Sequence, residues 1–162
     1  MTPANLKAIR MRLGLQAVEA AEICGMDVSK YGRQEQAKTH NVFMSVHAPL
    51  ISVETAMDEL IDAILAQTPP PVVLLTFMET EDFQFYEPAL SVKLRHANVH
   101  RMAMARVQEQ LALDNIAAPI VELIAEHYSG WLNRYEREDS PDARNAWALE
   151  KVASFKVIPV GG

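Results

Sequence analysis

The sequence predicts a mainly α-helical protein: a bundle of three short helices at the N-terminus, then a helical C-terminal region that carries one or two short β-strands. Two observations lead to this prediction. Apolar residues recur every three or four positions through most of the chain, which is the spacing of helices that bury one face. A short run of β-forming residues interrupts that pattern at 72–77, directly after three consecutive prolines.

Capping residues set the predicted helix ends. Thr2 and Asp27 are suitable N-caps for the first and third helices, and Ser52 for a fourth. Gly14 and Gly25 end the first and second helices, because a glycine readily adopts the left-handed conformation after a helix. The predicted helices are 2–13, 17–24, 28–37, 53–67, 89–113, 118–137 and 140–153, and the predicted strands are 72–77 and 155–160.

Apolar side chains predict which face each N-terminal helix buries. Leu6, Ile9 and Leu13 share one stripe of the first helix. Val18, Ala21 and either Ile23 or Cys24 are expected to face inward from the second.

The prolines at 69–71 form a stiff linker and the best internal boundary in the chain. This boundary predicts an N-terminal domain at 1–67 and a C-terminal helical region for dimerisation or interaction at 72–162. The acidic stretch 79–82 is expected to be a turn. Because an isolated strand pair is marginal in water, one hypothesis is that a strand pairs across a dimer.

The charge is unevenly distributed. Residues 1–38 hold six Lys/Arg and four Asp/Glu, a charge of +2, and residues 39–162 hold nine and seventeen, a charge of −8, which together give the net −6. Phosphate attraction needs a local cationic face rather than a basic chain, so a small DNA reader on an acidic body is permitted. Six cations are few for strong non-specific DNA binding. An ordinary fluctuation in charge is the alternative interpretation.

The composition indicates a globular protein outside the membrane. No run of 18 apolar residues is present, and the first residues lack the basic-then-apolar order of a signal peptide. The single cysteine, Cys24, excludes an internal disulfide and fits a reducing compartment. We therefore expect a cytoplasmic protein.

The second and third predicted helices are joined by a turn of about four residues, which is helix-turn-helix geometry. Residues 6–35 resemble the λ-repressor/Cro-like helix-turn-helix superfamily. The run LKAIRMRLGL…EAAEICG resembles its YdiL-like subgroup, which is related to anti-CRISPR-associated repressors. The resemblance implies a λ-repressor-like DNA-binding bundle, a C-terminal dimerisation region and transcriptional repression at an inverted repeat. The implied partners are double-stranded DNA and a second copy of the chain, without a membrane.

Individual positions carry the resemblance. Gly25 matches the turn glycine of the family, Met26 its buried turn residue and Asp27 its polar cap. Tyr31 matches a buried aromatic residue of the recognition helix, and Glu35 an acidic residue near its end. The first turn of the third helix would approach the groove, and flanking side chains would hold the DNA backbone. The implied DNA-binding residues are Arg12, Gln16, Asp27, Ser29, Lys30, Arg33 and Lys38.

Three positions depart from the family pattern. Gln16 comes one position early, Gly32 lies inside the recognition helix, and Gln34 replaces an expected aromatic residue. These departures motivate an alternative: a protein-interaction module that keeps the helix-turn-helix fold without reading DNA. A second, weaker likeness at 129–137 would make 116–137 another helix-turn-helix, and an amphipathic helix with a buried Trp131 is the alternative there.

Other chemistry has little support. His96 and His100 are four residues apart and could bind zinc only with a further ligand, so a solvated or capping pair is favoured. The basic residues around them form either a second phosphate-facing stripe or, as we prefer, an exposed helix face; they are Lys93, Arg95, Arg101 and Arg106. No set of nucleophile, base and oxyanion donors can be named. We expect no enzyme activity, catalytic residue, metal or cofactor.

Overall fold

The computed structural model describes residues 2–37, 42 and 44–155, with the backbone alone at 44–46 and 155. The described part forms nine helices and two short strands, which confirms the mainly α-helical fold class with minor β structure. In chain order these elements are α1 (Pro3–Arg12), α2 (Ala17–Ile23), α3 (Val28–Gln36), α4 (Met44–Leu65), β1 (Leu74–Phe77), α5 (Thr80–Tyr86), α6 (Pro88–Leu94), α7 (Ala97–Leu113), β2 (Ile120–Leu123), α8 (Ala125–Arg134) and α9 (Pro141–Phe155).

The ends of α1 are as predicted. The Thr2 hydroxyl accepts a hydrogen bond from the Asn5 N–H at 3.2 Å. Beyond the last turn, Gly14 adopts a φ of 70°, and the N–H groups of Gly14 and Leu15 donate to carbonyl oxygens of α1 at 3.1 Å each. These bonds satisfy carbonyl groups at the end of α1 and separate α1 from α2.

The turn between α2 and α3 is also confirmed. Gly25 has a φ of 63°, and the N–H groups of Gly25 and Met26 donate to carbonyl oxygens of α2 at 3.0 and 2.9 Å. The Asp27 carboxylate caps α3 by accepting from the N–H groups of Ser29 and Lys30. The sequence prediction of burial was correct for Leu6, Ile9, Leu13 and Ala21, but Val18 is 50% exposed, so its predicted inward position was wrong.

The predicted start of the fourth helix was wrong. Helix α4 begins at Met44, and the hydroxyl of Ser52 is not a cap but donates to the Ala48 carbonyl at 2.9 Å. Pro49 lies inside this helix, where it lacks one backbone donor. The apolar stripe continues across it through Leu50 and later turns, and packing against α1, α6 and α7 outweighs the lost hydrogen bond.

The predicted helix over 89–113 is two helices. Arg95 has a φ of 69°, which breaks the helical path between α6 and α7, and His96 occupies the N-cap position of α7. The break lets α6 and α7 both pack against α4. The acidic stretch predicted to be a turn instead begins α5, where Glu81 and Asp82 stabilise the first turn through their charge.

The predicted helix over 118–137 starts too early. Residues Ile120–Leu123 form β2, which pairs in parallel with β1 in the register Leu74 to Ile120. The partner of β1 thus lies in the same chain, so the hypothesis that it pairs across a dimer is not needed. The proposed second helix-turn-helix was wrong as well, because it requires a helix where β2 lies.

The start of the last helix was predicted correctly. The Ser140 hydroxyl accepts from the Ala143 N–H at 3.1 Å just before α9. Helix α9 extends two residues further than predicted, through Phe155. The rest of the predicted strand at 155–160 lies outside the described residues.

One hydrophobic core joins the N-terminal and C-terminal parts. Helix α4 contacts α1 and α2 as well as α6 and α7, so it is shared by both. The predicted division at residues 68–71 falls between α4 and β1 and stays a prediction. Within the described ranges, no helix is both long and apolar enough to cross a bilayer.

Candidate nucleic-acid interface

Helix α3 has a buried side and an open side. Tyr31 is fully buried and packs with the core, whereas Ser29, Lys30 and Arg33 are exposed. The principal neighbours of α3 are α1 and α2. The side chains at its first two turns therefore project two cations and a hydroxyl away from the body of the protein. We call Ser29, Lys30 and Arg33 the α3 outer face.

The first turn of α3 is fixed by its cap. The Asp27 carboxylate accepts from the Ser29 N–H at 2.8 Å and from the Lys30 N–H at 3.3 Å. Among the predicted DNA-binding residues, Asp27 is thus engaged with its own helix. Its carboxylate positions the backbone from which Ser29 and Lys30 project, and a negative charge there suits the helix dipole.

An ion pair missed by sequence reasoning anchors the other end of α3. Arg10 Nε donates to Glu35 Oε1 at 2.7 Å, Arg10 Nη2 donates to Glu35 Oε2 at 3.1 Å, and Arg10 Nη1 donates to the Leu15 carbonyl at 2.9 Å. Hydrogen bonding to Glu35 raises the pKa of Arg10. Burial, followed by the nearby Glu35 carboxylate, raises the pKa of the Tyr31 phenol. The partners are twenty-five positions apart in the sequence, so no local pattern indicated this pair, although Glu35 itself was singled out by the family likeness.

Two other predicted DNA-binding residues, Arg12 and Gln16, do not lie on α3. Arg12 Nε donates to Glu54 Oε1 of α4 at 2.8 Å, and the Arg12 side chain stays 49% exposed. Gln16 is exposed at the N-cap of α2, and its N–H donates to the Glu19 carboxylate. Lys38 lies outside the described residues. The structure thus brings Ser29, Lys30 and Arg33 onto one helix and leaves Arg12 engaged with a carboxylate.

Residues of the C-terminal region contact one side of α2. Glu19 Oε1 accepts from Asn98 Nδ2 at 2.8 Å. The His96 ring lies between two carboxylates, with Nδ1 3.8 Å from Glu19 Oε1 and Nε2 3.8 Å from Glu22 Oε2. A side chain at Gly14 would collide with Met102 of α7. These contacts hold α2 and the turn before it against the start of α7.

The two histidines considered for zinc have separate surroundings. His96 faces the carboxylates of α2, whereas His100 is buried between the rings of Phe77 and Phe83, at centroid distances of 5.5 and 5.1 Å. Its Nδ1 lies 3.4 Å from Thr76 Oγ1. Burial lowers the pKa of His100 to about 4. Across the described ranges, no group of three or more His, Cys, Asp or Glu could hold a metal ion.

The basic segment around these histidines is partly neutralised. Arg101 Nη2 lies 3.6 Å from Glu122 Oε1, and Arg106 Nη1 lies 3.7 Å from Asp58 Oδ1. Arg106 Nη2 also donates to the Arg12 carbonyl at 3.0 Å. These two cations face carboxylates of the same chain, which favours the exposed helix face over a second phosphate-binding stripe.

Comparison with protein-family models and with curated proteins finds no match to this chain. Hydroxyl, ammonium and guanidinium groups on one rigid helix can donate hydrogen bonds to phosphates and to acceptor atoms of base edges. The α3 outer face supplies one of each.

Proposed function

We propose that this chain is a sequence-specific DNA-binding protein that acts in the cytoplasm as a homodimeric, non-enzymatic transcriptional repressor. The observation that supports this most strongly is the α3 outer face, which projects from a helix capped at one end and ion-paired at the other. A helix presented in this way fits the major groove. In this proposal Arg33 reads a base edge or a phosphate, and Ser29 and Lys30 contact the groove wall.

The electrostatics favour specific over non-specific binding. The α3 outer face carries two positive charges, Lys30 and Arg33, and the remainder of the chain is acidic. Each phosphate contact contributes about 0.9 to the slope of log affinity against log salt, so few contacts give a shallow slope. Discrimination would then come from hydrogen bonds to base edges.

Arg12 enters the proposal through an exchange of partners. Its ion pair with Glu54 is solvent-exposed, and exposed pairs contribute about 0–1 kcal/mol. A DNA phosphate would therefore displace Glu54 at small cost. We expect Glu54→Gln to strengthen DNA binding by up to about fivefold at low salt, as measured by fluorescence anisotropy. A weaker affinity of Glu54→Gln would contradict this exchange of partners.

Dimerisation is the second half of the proposal. Readers of this type bind two half-sites about 34 Å apart, so two copies must present their α3 helices on one face. Light scattering at micromolar concentration is expected to give twice the mass of the 18.1 kDa chain.

The test is selection from a library of random duplexes. We expect enrichment of one sequence, and loss of at least tenfold in affinity for Arg33→Ala. Lys93→Ala is the matched control, because Lys93 is also exposed and cationic but lies on α6. No enrichment, or equal effects of the two variants, would contradict the proposal.

The alternative is a protein-interaction module with the same fold. One observation favours it: Arg10 and Arg12 are both engaged by carboxylates of the same chain, which lowers the cationic character of the N-terminal bundle. A folded protein that enriches no duplex would support this alternative.

A further inference from the structure

Among the described residues, a wide groove of about 1270 Å³ lies between β2 and the second half of α9. Its walls are mostly apolar, with Val72 and Ile120 on the side of the strands and Leu149 and Val152 on α9. Val72 is 62% exposed and Leu149 is 42% exposed, so this apolar surface faces solvent. Sites for small molecules are concave and mostly apolar, and a few polar groups fix the orientation of the ligand.

A smaller polar cleft of about 370 Å³ lies next to this groove, between α8 and α9. His127, Trp147 and Lys151 line both the groove and the cleft, so the two meet at these side chains. Arg134 of α8 lines the cleft further on. Lys151 Nζ lies 5.6 Å from the centre of the Trp147 ring, and this cation–π contact holds the ammonium group where the groove and the cleft meet.

The cleft has positive charge available for an anion. Within the described ranges, no carboxylate forms an ion pair with Arg134 or Lys151. Glu150 also lines the cleft, but its carboxylate already accepts from Trp131 Nε1 at 2.7 Å and from the Tyr135 hydroxyl at 3.5 Å. The two cations therefore complement a negatively charged group, and the apolar groove complements a body without charge.

We propose that the groove and the cleft together bind a small amphiphilic carboxylate, a molecule with one apolar chain or ring and one carboxylate group. The apolar body lies along the groove beside β2, and the carboxylate lies in the cleft within reach of Arg134 and Lys151. Charge-assisted hydrogen bonds from these cations are stronger than neutral ones and fix the direction of the ligand. The site is separate from the α3 outer face, so this proposal does not depend on DNA binding.

Tryptophan fluorescence of the full-length protein tests this proposal. Both tryptophans of the chain, Trp131 and Trp147, line the cleft, so their emission reports on this site. The probes are decanoate and decylammonium below their micelle concentrations, because they share one alkyl chain and differ in the sign of their charge. We expect decanoate to change the emission saturably and decylammonium to bind at least about tenfold more weakly. Equal affinities, or no saturable change with decanoate, would overturn the proposal.

A matched pair of glycine variants tests the position of the carboxylate. Gly130→Glu places a negative charge in the cleft, and Gly32→Glu makes the same change on α3. At both glycines an added Cβ meets no atom within 4 Å outside its own helix, so both variants are expected to fold, which circular dichroism checks. We expect Gly130→Glu to weaken decanoate binding at least about tenfold by charge repulsion, and Gly32→Glu to leave it unchanged. Equal affinities of the two variants would overturn the proposal.

A second pair tests the cation directly and does not alter a helix glycine. Lys151→Gln removes one positive charge from the cleft, and Lys93→Gln removes one from α6. We expect decanoate to bind more weakly to Lys151→Gln and with wild-type affinity to Lys93→Gln, whereas decylammonium binding does not weaken in either variant. If decanoate binds both variants equally well, the assignment of the carboxylate to this cleft is wrong.

Discussion

Because His100 is buried, we expect the free energy of unfolding to fall in weak acid. The folded protein lowers the pKa of this imidazole from 6.5 to about 4, because the ring is buried next to aromatic side chains. Protonation is therefore easier in the unfolded chain than in the folded one. The stabilisation is fully present above pH 6.5 and is lost as the pH falls towards 4.

The magnitude follows from the two pKa values. A tenfold change in proton affinity corresponds to about 1.4 kcal/mol, so the whole effect amounts to about 3 kcal/mol. Between pH 7 and pH 5 about 2 kcal/mol is lost, since the unfolded imidazole is then mostly protonated and the folded one is mostly neutral.

Urea unfolding at pH 7 and pH 5 measures this loss. In His100→Gln, the loss of unfolding free energy between pH 7 and pH 5 is expected to be about 2 kcal/mol smaller than in the wild type. This difference does not depend on how much the substitution destabilises the protein at pH 7. His127→Gln is the control, because His127 is exposed. If wild type and His100→Gln lose the same stability between the two pH values, the reasoning from burial is refuted.

Three further substitutions probe the fold. Gly14→Ala is expected to cost about 2 kcal/mol or more in thermal or urea unfolding, because Gly14 has a φ of 70° and a side chain would displace Met102; a cost near zero would contradict the close approach of Gly14 and Met102. Gly32→Ala is expected to stabilise by about 0.5–1 kcal/mol, since an added Cβ meets no atom within 4 Å in the helix, and destabilisation would show that the site is more crowded. Arg144→Met is expected to lower the free energy of unfolding in urea by about 3 kcal/mol, because the buried guanidinium donates to the Tyr86 carbonyl and to two carboxylates. A loss well below about 1 kcal/mol would show that these hydrogen bonds are dispensable.

Sequence reasoning succeeded where short-range interactions decide the structure. The bonds that end α1 and cap α3 join residues at most five positions apart, so Gly14 and Asp27 could be assigned from their neighbours. The same holds for Thr2 and Ser140, which accept from N–H groups three residues later.

Long-range packing decided what sequence reasoning got wrong. Ser52 was assigned as a helix cap from its neighbours alone, yet α4 begins at Met44 and packs against α1, α2, α6 and α7. Residues 120–123 suit a helix or a strand by pattern alone, and their partner, β1, lies more than forty residues earlier.

The sequence likewise predicted only part of the candidate site. The exposure of Ser29 and Arg33 agrees with the contact positions that the family likeness implied for them. The anchoring of α3 by Arg10 and Glu35 and the engagement of Arg12 by Glu54 depend on tertiary contacts across twenty-five and forty-two residues, so no local pattern could indicate them.

An NMR titration of the isotope-labelled protein with the duplex selected from the random library tests directly whether α3 reads DNA. We expect the backbone amides of Ser29, Lys30 and Arg33 to shift most, with smaller changes near Gln16 and little change around β2 and α9. If the duplex leaves α3 unperturbed, or perturbs another surface more strongly, the proposal that α3 reads DNA is contradicted.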